Sequence, residues 1–252
     1  MNWLLLIWVL ICLAVALPLQ VSIRRQVFLV SYLFTSNLEH TLTLFGLLML
    51  PGTLLHESSH VAAALLMGSR VSGLSLLPAY EDHDDGKGTI ELGSVLARDM
   101  GLVRNSIISI APTIVGSALI LLVGGLVFDF PQVVAAIEAG AWDRVLQCLL
   151  GPFESVWGWV GAYAILTIGM NMLPSSADLQ FGAGLFLLLV VLFFVLALLY
   201  LVQSVALAPV VEGVNSVLGW LGLVLTFTIC LSAPVYFFLK LFASGGRVER
   251  RE

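Results

Sequence analysis

The chain has 252 residues, 60% of them hydrophobic and only 11% charged, with a mean hydropathy of +1.04 and a formal net charge of −5. That balance excludes an ordinary water-soluble domain, and no basic block points to a nucleic-acid partner. Several runs exceed the ~18 apolar residues that suggest a bilayer span. The expected fold is an all-α polytopic membrane protein, one membrane-embedded domain over 1–252, with about six transmembrane helices and a small β-hairpin insertion after the second. Cys12, Cys148 and Cys230 are widely spaced and odd in number. They read as small buried hydrophobes rather than a disulfide framework.

The first span is expected over Asn2–Gln20. Its Ala14-Val15-Ala16 resembles a signal-peptide ending, but it lacks a basic start and its apolar run is long, so a retained span is expected. Arg24 and Arg25 follow, and then Val27–Phe34, too short to cross alone. The second span, Thr41–Gly68, carries Pro51 and Gly52, which could kink it and open backbone groups to a cavity.

In the later half of that span stand His56, Glu57 and His60, in the order His-Glu-x-x-His. Residues four apart share one helix face, so both imidazoles can reach one metal ion. A zinc ion held by two neutral histidines needs a further protein ligand and an open position for water. Glu57 stands where a carboxylate can take a proton from that water. Ionisable residues at membrane depth are costly and mark function by default.

Residues 70–104 form the only long polar segment. Val71–Leu77 and Thr89–Leu96 are strand-like and flank turn formers, so the segment is read as a β-hairpin whose edge could pair with an extended substrate. A solvated connector is the plainer alternative. His83 lies among Glu81, Asp82, Asp84 and Asp85, a pattern that fits a solvated acidic turn better than a cation site. The third span is expected over Ser106–Phe128. Residues 129–152 are interfacial, with Trp142, Trp157 and Trp159 as anchors. The fourth to sixth spans are expected over Phe153–Leu173, Phe181–Ala208 and Val217–Phe242.

With both termini cytoplasmic, Arg70, Lys87, Arg98, Arg104, Lys240, Arg247, Arg250 and Arg251 lie inside, and Arg24, Arg25 and Arg144 outside. The count favours this arrangement, against the Arg24–Arg25 pair. It brings the motif half of the second span and the Asn171–Asp178 end of the fourth to the cytoplasmic face. Glu154, Asp143 and Asp129 fall at the opposite face. Glu91 and Asp99 remain open as third ligands, and Asp178 is favoured because Pro174 can bend the chain and aim it inward. Asn171 carries donors and an acceptor suited to a substrate carbonyl or a bent backbone.

His56-Glu57-x-x-His60 followed by Asn171-x-x-Pro174 and Asp178 resembles the site-2 protease family of intramembrane zinc metalloproteases. The strand-like pieces after the motif helix and Ala111-Pro112 with Gly116 in the next span are similar too, so the resemblance covers roughly Thr41–Asp178, within a core catalytic region expected over about 41–180. It implies that His56, His60 and Asp178 bind one zinc ion, that Glu57 is the general base and that Asn171 positions substrate. It also implies a transmembrane protein as substrate. Family members usually place the aspartate eight residues after the asparagine and follow it with glycine. Here the interval is seven, Leu179-Gln180 follow, the hairpin lacks a Gly-Gly signature, and no PDZ or CBS insertion is apparent. The chain therefore reads as a divergent, minimal member in a prokaryotic cell membrane. The rival readings are a divalent-metal transporter and a non-catalytic regulator that binds membrane helices. Substrate identity and oligomeric state stay open.

Overall fold

The computed structural model describes residues 2–76, 78–81, 89–91, 93–97, 101–173 and 208–248. They form a helical architecture in which four helices are long and apolar enough to cross a membrane, compatible with a multi-pass membrane protein. Large apolar side chains stand exposed on the outer faces of the helices, among them Leu4, Leu66 and Leu126. In water such surface would be a liability; against lipid it is the matching solvent.

Helix α1 runs Trp3–Thr35, and the Asn2 side chain caps it by accepting from the Leu4 N–H. Its 33 residues correct the expectation of a span ending at Gln20 and a separate short piece. Arginine is a good helix former, so Arg24 and Arg25 do not interrupt the backbone. Ile23 and Val27, one turn apart, pack with Phe45, Met49 and Met170. At 1.5 Å per residue α1 is about 50 Å long, well beyond a ~30 Å hydrocarbon core.

The chain reverses at Ser36, whose φ of 53° is left-handed. Asn37 then caps α2, Leu38–Leu66, by accepting from the backbone of Glu39 and His40. Pro51 lies within this continuous helix, and where the sequence suggests an opening, Gly52 is buried against another helix.

Four short strands follow: β1 Val71–Ser75, β2 Ala79–Glu81, β3 Thr89–Glu91 and β4 Ser94–Ala97. β1 pairs with β4 and β2 with β3, both antiparallel, with an irregularity in β1 between Val71 and Gly73. These segments run back along α2. Gly93 lies against Glu57, while Pro78 lies against Gly46, eleven residues or about 16 Å further down the helix axis.

Helix α3 spans Leu102–Phe128. Asp129, at φ 47°, ends it and caps α4, Phe130–Glu138, which α5, Trp142–Leu150, follows. After a 3-10 turn over Gly151–Glu154, Ser155 caps α6, Val156–Asn171, through the Gly158 N–H. Trp142, Trp157 and Trp159 are exposed here, as interface anchors are. The last described helix, α7, is Ala208–Val248.

Helix directions follow from the contacts. Asn2 meets Asn215, Trp8 meets Gly222 and Cys12 meets Thr226, so α1 and α7 are parallel. The far end of α7 therefore lies at the face opposite Asn2, which corrects the expectation that both ends of the chain share one face. Lys240 then stands at the opposite face from Arg70 and Arg104. The distribution of basic residues no longer assigns the motif end of the bundle to the cytoplasm. The expected fifth span, over 181–208, lies outside the described residues but for its last.

The main core joins α1, α3, α6 and α7 through side chains such as Ala16, Ile120, Ile165, Ile168, Val224 and Leu225.

Candidate metal centre

Helix α6 has 16 residues, about 24 Å, too short to clear a full hydrocarbon core. Its final turn and the two residues beyond it, Gly169 to Leu173, are all buried, between α1, α2, α3 and α7. A helix end leaves its last four carbonyls without helical partners, and in a bilayer nothing but protein can satisfy them. Here all four are met by side chains of three other helices. Gln20 Nε2 donates to Gly169 O (2.6 Å), an Arg24 guanidinium nitrogen to Met170 O, His56 Nδ1 to Asn171 O and Thr113 Oγ1 to Met172 O (2.8 Å).

The close approach of α2 to this turn depends on Gly52. A Cβ there would stand 2.0 Å from Thr167 O and 2.5 Å from Asn171 Nδ2, so only glycine allows the backbones to touch. One turn on, His56 meets the carbonyl of Asn171. His60, a further turn along, directs Nδ1 to Ile108 O of α3 at 2.9 Å.

These two bonds decide the tautomers. A carbonyl only accepts, so each Nδ1 carries a proton, and in a neutral ring Nε2 then presents its lone pair. The two Nε2 atoms face one another at 3.1 Å, with the rings edge to face and their centroids 4.7 Å apart. Two lone pairs held so repel unless a proton or a cation lies between them. Two nitrogens each 2.0–2.1 Å from a tetrahedral zinc stand about 3.3 Å apart. The pair therefore fits two ligand positions of one such ion, with each imidazole oriented from behind by a carbonyl, as metal-bound histidines usually are.

Glu57 is buried, 6% exposed, beneath the extended segments. A Cβ on Gly93 would lie 2.9 Å from both the Glu57 carboxylate oxygen Oε1 and Ser75 O. The backbone at Gly93 thus covers the carboxylate at contact distance and limits where it can swing.

Among the described residues no group of three His, Cys, Asp or Glu side chains converges on one point. Asp178, expected as the third ligand, and Asp99 lie outside the described residues, as does His83; β3 includes the backbone of Glu91. Asp129 and Asp143 belong to the α4–α5 end of the bundle. Leu173 is the last described residue before Asp178. Five residues, about 17 Å of chain if fully extended, separate it from Asp178.

Asn171 meets the histidines through its backbone. Its carbonyl holds His56, and its side-chain amide donates to Thr167 O of its own helix (2.8 Å). Sequence reasoning missed Gln20, Arg24, Thr113 and Gly93. For the first two a signal existed, since polar groups in an apolar span are expensive unless something receives them. Comparison with family models, curated proteins and solved structures returns no match. The functional reading therefore stands on this geometry.

Proposed function

We propose that the chain is an intramembrane zinc metalloprotease of the site-2 protease type, hydrolysing peptide bonds of transmembrane substrates. The observation that carries the reading is the pair of Nε2 lone pairs, 3.1 Å apart on one helix face, each ring fixed by a carbonyl behind it. His56 and His60 would hold the metal, with Asp178 as third ligand. When bound, zinc supplies a Lewis acid that polarises the scissile carbonyl and acidifies water.

The remaining work falls to the chain. Glu57, one residue from His56 and buried under Gly93, takes the proton from the attacking water and hands it to the departing amine. A substrate helix must unwind first, because its carbonyls are otherwise engaged in its own hydrogen bonds. The extended segments beside Glu57 offer edges with which an unwound strand can pair, and Asn171 positions its carbonyl. In this reading the fold is a multi-span bundle whose β segments dip alongside the motif helix.

The test is zinc content of purified wild type beside His60→Ala and Asp178→Ala, with cleavage of a model transmembrane substrate by wild type and Glu57→Gln. About one zinc per wild-type chain is expected, lost in both ligand variants and kept in Glu57→Gln, which does not cleave. Cleavage by Glu57→Gln sinks the catalytic assignment. Zinc retained in Asp178→Ala moves the third ligand to Glu91 or Asp99. Cleavage by wild type alone separates a protease from a metal transporter and from a non-catalytic partner of membrane helices.

A further inference from the structure

The end of α6 is held by a collar of four donors, and one of them is a metal-ligand candidate. Gln20 and Arg24 lie one turn apart on α1 and meet successive carbonyls, Gly169 O and Met170 O. His56 and Thr113 take the next two. A helix C-terminus carries a partial negative charge of about half an elementary unit, and Arg24 brings a full cation to it inside an apolar bundle. Arg25, the next residue, is exposed. The turn is clasped by glycines as well: Gly52 admits α2, and a Cβ on Gly169 would stand 2.3 Å from Thr228 Cγ2 of α7. The carbonyl that orients His56 therefore lies in a turn that Gln20, Arg24 and Thr113 hold.

We infer that Arg24, with Gln20 and Thr113, is a positioning residue of the metal centre. By anchoring the last turn of α6 it fixes the Asn171 carbonyl that aligns His56. This rests on the metal-centre reading and adds to it the part played by α1 and α3. Partners behind a metal-bound histidine are commonly worth ~10–100-fold in metal affinity.

The experiment measures the zinc dissociation constant of the full-length protein in lipid or detergent by chelator competition, and the visible absorption spectrum of its cobalt(II) form. Wild type is compared with Arg24→Gln, Arg24→Lys, Arg25→Gln and Thr113→Val. Arg24→Gln, one step behind the carbonyl that holds His56, is expected to weaken zinc by up to about tenfold, the low end of that range, and shift the cobalt bands. Arg24→Lys recovers much of the loss, and Arg25→Gln matches wild type. Thr113→Val, nearly isosteric, loses one donor and weakens zinc severalfold. If Arg24→Gln does not fold, Thr113→Val decides alone. Folded Arg24→Gln or, failing it, Thr113→Val with wild-type affinity and spectrum overturns the inference and leaves the protease reading intact. Wild type without zinc overturns both.

Discussion

Substitution of Gly52 by alanine tests whether the contact between α2 and α6 sets the proposed metal centre. The added Cβ would stand 2.0 Å from Thr167 O, where ordinary contact begins at 3.4 Å. The obstacle is backbone and cannot rotate away, so the helices must part locally by about 1.4 Å. The bond from His56 Nδ1 to Asn171 O lies one turn along the same contact. Lengthened by a comparable amount, it passes beyond the ~3.2 Å limit of a useful N–H···O bond. Overpacking of this kind costs ~1–3 kcal/mol of stability, and loss of the orienting carbonyl costs ~10–100-fold in metal affinity. Thermal unfolding and chelator competition on the same preparations give both numbers. A destabilised Gly52→Ala protein with weakened zinc binding is expected. A Gly52→Ala protein with wild-type zinc affinity would falsify the claim that the Asn171 carbonyl holds His56 in place.

Two further substitutions separate the proposed catalysis from packing. Gly93→Ala places a methyl against Glu57 Oε1 and Ser75 O, each short of ordinary contact by about 0.5 Å. It should lower kcat by roughly ten- to a hundredfold, since a displacement of ~1 Å can cost a hundredfold, with zinc content unchanged; loss of zinc instead would mean that the carboxylate's cover also shapes the ligand pair. Phe45→Ala empties a fully buried site, edge to face with Phe28 and packed on Met170. It should cost about 3 kcal/mol, the low end for such truncations, because the reference state also lies in lipid; a change under about 1 kcal/mol in unfolding would show that neighbours refill the space.

Composition and periodicity carry the class of this protein. Runs of apolar residues longer than a bilayer is thick leave helices as the only way to satisfy the backbone. The His-Glu-x-x-His spacing also places two imidazoles on one helix face whatever surrounds them. Those statements depend on neighbours within about 20 residues, and a linear reading reaches that far. It also joined the motif helix to the Asn171 region, because both were expected at one depth.

Tertiary structure decided the rest. A pair of arginines reads locally as the end of a span, yet Arg24 is tolerated within α1 because the last turn of α6, some 146 residues away, needs a donor. Whether Pro51-Gly52 opens a cavity or admits a neighbour depends on which helix lies against it, and Thr167 does. The face occupied by the end of α7 depends on its pairing alongside α1 rather than on its own residues. The tautomers of His56 and His60 are set by carbonyls at Asn171 and Ile108. Spacing determined that two nitrogens could converge; contacts between distant segments determined which nitrogens converge and what holds them there, because a helix face specifies direction while orientation about it is fixed only by what packs behind.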